Sequence, residues 1–147
     1  MKVYLDNCSL NRPFDDQSYI RIRLETEAKL YIQDKIKNQS LDLVWPYILD
    51  IENDNNPFKE KRQAIARWKA LSNIDVTETQ SIIDKANKFV KIGVKAKDAL
   101  HVACAINGKA SLFITTDDKL IKKLSNLQEI DMLNPVDAAG QIDDSHN

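Results

Sequence analysis

The sequence lacks the features that mark several large classes of protein. Its 21 basic and 22 acidic residues leave a formal charge of -1, so no overall basic field indicates a nucleic-acid partner, although a local basic strip is compatible with that balance. No apolar run approaches the roughly 18 residues that a membrane-spanning helix needs. Internal repeats, low-complexity segments and linkers are missing as well. These absences favour one soluble domain with no membrane partner.

The sequence is also poor in cysteine. Cys8 ends an apolar run and Cys104 lies in an alanine-rich helical pattern, where reduced packing residues are commoner than disulfides. No secretory signal is recognisable, so we expect a reducing, cytoplasmic environment. The 147 residues, 43% of them hydrophobic, are enough for one domain with a real core. We place that domain at residues 1–137 and expect a frayed tail at 138–147.

Short apolar runs alternate along the chain with segments of helical periodicity. The predicted strands are residues 3–5, 41–45, 74–78, 111–115 and 129–133. The longest predicted helix spans 17–38, with a buried stripe of Ile20, Leu24, Ala28, Tyr31 or Ile32, and Ile36. Thr77 is expected to cap a later helix, which Gly93 ends. The alternation predicts an α/β domain with a mainly parallel sheet.

Two of the predicted strands are followed by an acid. Asp6 comes after the first strand, and Asp117 comes after the run 111–115. Parallel strands joined by right-handed crossovers end at one edge of the sheet, and ligands bind in the crevice outside those ends. If the two strands are neighbours, their acids share one site. The alternative is that each acid is only a turn former or helix cap. Asp118, the next residue, is assigned as a first-turn helix acid.

Two further acids lie where helices can bring them to that edge. Glu52 ends a short helix predicted at 46–52, and Asp98 lies in the first turn of the alanine-rich helix. Four acids close together oppose folding unless a cation neutralises them. Carboxylate oxygens, with no thiolate or histidine cluster beside them, suit Mg²⁺ or Mn²⁺. The pattern therefore predicts metal-assisted hydrolysis by an activated water.

The sequence resembles the PIN domain in four ordered segments: LDNCSLNRPFDD, WPYILDI with the Glu52 that follows, KAKDALHVACAINGKA and LFITTDDKL. The PIN family includes VapC proteins, the metal-dependent ribonuclease toxins of bacterial toxin–antitoxin pairs. The resemblance implies a three-layer α/β/α fold and cleavage of RNA phosphodiester bonds. It also implies a homodimer and, for a toxin, a cognate antitoxin. The acids that it assigns to Mg²⁺ or Mn²⁺ and the attacking water are Asp6, Glu52, Asp98 and Asp117.

The segment after the first acid departs from that family pattern. Many relatives have Thr or Ser and then Asn or Ser, where this chain has Asn7 and Cys8. Asn7 can still bind a water or a phosphate, whereas Cys8 is a poor replacement for a polar side chain. Arg12 lies in the loop expected at 11–16 and is a candidate contact for a substrate phosphate. Asn7 and Arg12 are thus the predicted substrate-binding residues.

Several other residues and functions are weighed against this prediction. His101 is a further candidate metal ligand or general base, but a single histidine on a helix more often packs or pairs with an acid. A haloacid-dehalogenase-type phosphatase requires an acid at Cys8, and a receiver domain requires a lysine on the last strand, which EIDML lacks. The remaining alternative is a PIN-fold module that binds RNA or a protein without cutting. The residues that can line an RNA path are Arg12, Arg21, Arg23, Lys95 and Lys97, with a solvated, charge-balanced surface as the alternative.

Overall fold

Strands and helices alternate in the computed structural model, which describes residues 1–145. The strands are β1 (Lys2–Leu5), β2 (Asp42–Pro46), β3 (Ile74–Val76), β4 (Leu112–Ile114) and β5 (Asp131–Leu133). The helices are α1 (Asn7–Asn11), α2 (Ile20–Lys37), α3 (Tyr47–Asp54), α4 (Lys59–Ala70), α5 (Gln80–Lys91), α6 (Ala96–Asn107), α7 (Asp118–Lys123) and α8 (Pro135–Ser145). A 3₁₀ turn, Arg12–Phe14, follows α1. Every strand predicted from the sequence is present.

The sheet is parallel throughout, with the strand order β3-β2-β1-β4-β5. Strand β1 is central, and the chain adds β2 and β3 on one side of it before crossing to β4 and β5 on the other. Val3 pairs with Leu112, so β1 and β4 are neighbours, and the backbone N–H of Asp6 donates to the carbonyl of Ile114 over 3.2 Å. The strand order reverses between β1 and β4, which is where open α/β sheets bind ligands.

Helices cover both faces of the sheet. Tyr4 and Phe113 face the core formed with α5 and α6, whereas Val3 and Leu5 face the core formed with α2, α4 and α8. All six side chains of β1 and β4 that point into these cores are essentially inaccessible to solvent: Val3, Tyr4, Leu5, Leu112, Phe113 and Ile114. The three-layer α/β/α prediction is confirmed. Within residues 1–145, no helix has the length and apolar character to cross a membrane.

The predicted buried stripe of α2 is wrong in its first half. Ile20 is 66% exposed and Leu24 is 49% exposed, while Glu25 and Lys29 are buried in their place. Glu25 accepts two hydrogen bonds from Arg12, and the Nζ of Lys29 lies 4.6 Å from the centroid of the Trp68 ring. Arg12 and Trp68 come from other segments of the chain. Because they bind Glu25 and Lys29, the first half of α2 buries a different face from the one that its hydrophobic residues predict. Ile32 and Ile36 are buried as predicted.

Two helix ends also differ from the prediction. Thr79, and not Thr77, caps α5, because its Oγ1 accepts from the N–H of Ile82 over 3.3 Å. Residues 138–145 are not frayed: they continue α8, whose Ala138 and Ile142 are completely buried and pack beside α2. The boundary expected at 137 therefore falls inside a helix, and only 146–147 lie outside the described residues.

Candidate active site

Asp6 leaves the end of β1 and enters the first turn of the next helix. It is the N-cap of α1, and its Oδ1 accepts from the backbone N–H of Ser9 over 3.0 Å. The side chain is nearly buried, at 7% exposure. Burial raises the pKa of Asp6, although hydrogen bonds from Thr115 and Ser9 act in the opposite direction. The capping bond to the Ser9 N–H uses only one of the two carboxylate oxygens.

Asp117 occupies the matching place after β4. It caps α7 through Oδ1, which accepts from the N–H groups of Lys119 and Leu120 over 3.1 and 3.2 Å. Asp118 is the first residue of α7, as predicted, and its carboxylate accepts two hydrogen bonds from Arg21 over 2.6 and 2.7 Å. Capping is thus a real structural role of both strand-end acids. It does not use both oxygens of either one.

Asp98 projects from the first turn of α6 and is half-buried. Its pKa is raised, first by burial and then by the negative charges of Asp117 and Glu52. The thiol of Cys8 is subject to the negative charges of Asp6, Asp117 and Asp98 in the same way. Asp98 thus lies within electrostatic range of Asp117 and Glu52, and Cys8 lies within range of Asp6, Asp117 and Asp98. That the four acids form one site stays a prediction.

Glu52 lies in the last turn of α3, two residues before its end, and is connected to a buried histidine. Its Oε1 is hydrogen-bonded to Nε2 of His101, and the Nδ1 of the same ring is hydrogen-bonded to the hydroxyl of Tyr4. Burial raises the pKa of Tyr4 well above its ordinary value, so the phenol keeps its proton. We assign Tyr4 as donor to Nδ1 and the Nε2–H group as donor to Glu52. The Oε2 of Glu52 lies 4.0 Å from the Nζ of Lys97.

The donor set fits a hard divalent cation. All four acids supply carboxylate oxygens, and the pKa of Asp98 is raised by burial and, after that, by like charges that a cation would neutralise. Within residues 1–145, no three side chains of His, Cys, Asp or Glu are close enough together to form a complete ligand group. Mg²⁺ often binds through only one or two carboxylates and keeps several waters. The side chains are therefore of the type that Mg²⁺ prefers, but among the described residues they are not gathered into one ligand group.

The segment after Asp6 forms helix α1 and a 3₁₀ turn where a loop was expected. The Oδ1 of Asn7 accepts from Nδ2 of Asn11 over 2.7 Å, so its own NH₂ group is the end that faces other partners. Cys8 is exposed, and its pKa is raised to about 11 by burial of the sulfur and by the nearby acids. A protonated thiol is only a weak hydrogen-bond donor. Cys8 therefore brings little polarity to the site.

Arg12 is engaged inside the protein. Its Nε and Nη2 donate to Oε1 of Glu25 over 3.0 and 2.8 Å, and its Nη1 donates to Asp15 over 3.0 Å. Glu25 is only 1% exposed, and its Oε2 has no hydrogen-bond partner among residues 1–145. The sequence could not reveal this pair, because Glu25 lies at a position that periodicity assigns to solvent. Arg12 nevertheless lines a cavity of about 270 Å³ beside Cys8.

A smaller cavity of about 110 Å³ opens between α6 and α7 beside Asp98 and Asp117. Three lysines line it: Lys95, Lys119 and Lys123. Only Lys95 was predicted from the sequence, since it comes just before Asp98. The other two lie on α7, on the turn that follows Asp117, and the helical spacing of four residues could have identified them together. Ammonium groups around a pair of carboxylates form a suitable approach for a phosphate.

Comparison with known protein families assigns the chain to a family. A sequence model of the PIN domain matches residues 23–127, which is most of the chain and includes Glu52, Asp98 and Asp117. The chain belongs to the PIN domain family. PIN domains are commonly nucleases that act on RNA and generally use divalent metal ions. The match begins after Asp6, so the first acid is assigned by its place at the end of β1. No curated protein matches the chain.

Proposed function

We propose that this PIN domain is a metal-dependent endoribonuclease that hydrolyses phosphodiester bonds in RNA. The proposal is supported by the place of Asp6 and Asp117 after the neighbouring strands β1 and β4, and by the cavity that Asp98 and Asp117 line together. Glu52 is the fourth acid of the proposed site, and its charge raises the pKa of Asp98. An uncompensated group of this kind destabilises a fold, so its presence at a ligand-binding edge favours a site that a cation completes. Hydrolysis of RNA is the chemistry that such a site supports in this family.

In this proposal the four acids line the site of Mg²⁺ or Mn²⁺, which they would hold partly through water. Such an ion, when bound, supplies an activated water and stabilises negative charge on the phosphate. Asp6 and Asp117 contribute the oxygens not used in capping, and their caps fix both side chains against rotation. Glu52 contributes Oε2, since Oε1 is bound to His101. Asp98 stands between them, close enough to be coupled to both Asp117 and Glu52.

The substrate contacts follow from the lysines and from the segment after Asp6. We propose that Lys95 and Lys119 bind backbone phosphates, because both line the cavity that Asp98 and Asp117 share. The free NH₂ end of Asn7 is proposed to contact a phosphate or its water. Arg12 contributes to substrate binding mainly by holding its segment in place, since three of its nitrogens are already bound to Glu25 and Asp15.

Cleavage assays on purified protein test this proposal. Structured and single-stranded RNAs are incubated with Mn²⁺, Mg²⁺ or EDTA, and we expect cutting only with metal. Asp6→Asn and Asp98→Asn should abolish it. Asp118→Asn is the matched control, because Asp118 neighbours Asp117 but is paired with Arg21, and it should retain cleavage. Metal-independent cutting, or cutting by Asp98→Asn, would contradict the proposal.

A second candidate function is a PIN-fold module that binds RNA or a protein without cutting. Cys8 favours it, because its protonated thiol stands where many relatives have a polar side chain beside the first acid. The assays above separate the two functions. Wild-type protein that binds RNA in gel-shift experiments, yet leaves every RNA intact with both metals, would support the binding module.

The VapC resemblance extends the proposal to a toxin role in the cytoplasm, with a cognate antitoxin and a homodimeric state. We expect induced expression in bacteria to arrest growth and Asp98→Asn to relieve the arrest. Co-expression of a neighbouring gene product that binds the protein should also relieve it, and light scattering of the purified protein reports its oligomeric state. Normal growth at high expression of a cleavage-competent protein would contradict the toxin role.

A further inference from the structure

Both ring nitrogens of His101 are bound to side chains from distant parts of the sequence. Nδ1 meets the hydroxyl of Tyr4 in β1, and Nε2 meets Oε1 of Glu52 in α3. Tyr4 is completely buried, His101 is 3% exposed, and the Glu52 side chain is 11% exposed. Water is therefore excluded from the Tyr4 end and largely excluded from the Glu52 end. We call these three side chains the Tyr4–His101–Glu52 row.

The row rules out direct roles for His101. A histidine ligates a metal or accepts a proton from a substrate through a free ring nitrogen, and neither nitrogen of His101 is free. The acid at the end of the row is different. Oε1 of Glu52 is bound to His101, whereas Oε2 is directed away, with the nearest cation, Lys97, 4.0 Å from it. Glu52 is thus the member that can act on a ligand.

The other end of the row is rigidly anchored. The Tyr4 ring stacks on Phe113 with centroids 4.9 Å apart and an interplanar angle of 12°, and it meets the His101 ring edge to face at 5.8 Å. Tyr4 and Phe113 are paired residues of β1 and β4, the strands that carry Asp6 and Asp117 at their ends. Through His101 and Tyr4, Glu52 is therefore attached to β1 and β4, the same two strands that position Asp6 and Asp117.

We propose that His101, held by Tyr4, is a positioning residue that aims Oε2 of Glu52 at the metal site. A glutamate has three side-chain torsions, and an unrestrained one at this edge would sample many orientations. This inference rests on the proposed function, because Glu52 needs a fixed orientation only if it binds an ion. Hydrogen-bond partners of ligating side chains typically change metal affinity or activity by about 10- to 100-fold when removed.

Calorimetric titration with Mn²⁺ alone tests the row without requiring catalysis. His101→Leu removes both bonds and should weaken Mn²⁺ binding by about 10-fold or more. His101→Gln keeps an amide N–H that can donate to Glu52, so it should recover most of that affinity. Tyr4→Phe deletes one hydroxyl from a retained ring and should give an intermediate loss. Tyr31→Phe is the matched control, since its hydroxyl donates to Asp143 on the surface, and it should bind Mn²⁺ as the wild type does.

The outcomes separate the inference from the proposed function. Wild-type affinity in His101→Leu and Tyr4→Phe would overturn the positioning role while leaving the nuclease intact. Equal losses in His101→Leu and His101→Gln, accompanied by equal losses of thermal stability, would show a merely structural histidine and overturn it too. Wild-type protein that neither binds Mn²⁺ nor cuts RNA would overturn the proposed function and this role together. Tyr4→Phe, which retains the buried ring, keeps the test valid if His101→Leu does not fold.

Discussion

Lys29 places its ammonium group over the face of Trp68, with Nζ 4.6 Å from the ring centroid. The side chain is 5% exposed, in the middle of α2. Burial, with a smaller contribution from the charge of Lys37, lowers the pKa of Lys29 to about 8. The fold thus retains a cation whose charged form it disfavours, and the contact with Trp68 offsets only part of that cost.

Replacement of this lysine should stabilise the protein. Lys29→Met keeps the aliphatic stem and removes the buried charge, so we expect the free energy of unfolding at pH 7 to rise by about 1 kcal/mol. The unfolded chain binds more protons than the folded chain between pH 8 and about 10.4, so wild-type stability should rise across that range. The variant should lack this rise. Urea unfolding at several pH values measures both effects.

Lys35→Met serves as the control for that experiment, because Lys35 also stands over an aromatic ring, that of Tyr31 at 5.4 Å, but is less buried. It should change stability little at any pH. A loss of stability in Lys29→Met would mean that the Trp68 contact outweighs desolvation of the ammonium.

Asp98→Asn should stabilise the metal-free protein, although it removes a proposed ligand. The raised pKa of Asp98 means that stability is lost as pH rises through that folded-state value, and the amide removes this loss. We expect a gain of up to about 1 kcal/mol at pH 7 in EDTA, measured by urea unfolding. Asp137→Asn is the control: Asp137 is an exposed first-turn acid of α8, so its loss should cost a few tenths of a kcal/mol, roughly. A destabilised Asp98→Asn would show that its helix-end role dominates.

Cys8 should be an unreactive thiol despite its exposure. Its pKa of about 11 leaves little thiolate at pH 7, so iodoacetamide should label it roughly 100-fold more slowly than an ordinary cysteine. The labelling rate, followed by mass spectrometry, should keep rising up to about pH 11. In Cys8→Ser the remaining thiol, Cys104, is buried and its pKa is raised to about 12, so that variant should not be labelled. Rapid labelling of Cys8 at pH 7 would show that burial and the neighbouring acids do not raise the pKa of this thiol.

Arg12 should matter to stability more than a substrate contact would. Arg12→Met leaves the carboxylate of Glu25 buried with only Arg21 nearby, 3.5 Å away, so we expect a loss of about 3 kcal/mol in the free energy of unfolding. The double variant Arg12→Met, Glu25→Met should recover most of it. Denaturant unfolding of the wild type, both single variants and the double variant completes the cycle. A single variant as stable as the wild type would show that the pair contributes nothing.

The sequence was sufficient for the sheet because its strands are short, apolar and buried on both faces. Asp6 and Asp117 could be placed at one edge since parallel strands must end together, and the adjacency of β1 and β4 made that placement specific. What the sequence could not reveal was contact between distant segments. His101 looked like a single histidine because Tyr4 and Glu52 lie 97 and 49 residues away in the chain. Lys29 was missed for a similar reason, since only the folded chain brings Trp68 beneath it.

The central position of β1 in the sheet determines when, during synthesis of the chain, the proposed site can form. Val3 pairs with Leu112, so β1 acquires this neighbour only after more than a hundred further residues have been made. Long-range parallel pairing of this kind forms late and slowly. A nascent chain that has not yet released β4 cannot bring Asp117 beside Asp6. Under the proposed function, a chain whose synthesis stops before β4 therefore has no nuclease site, even though three of the four acids have already been made.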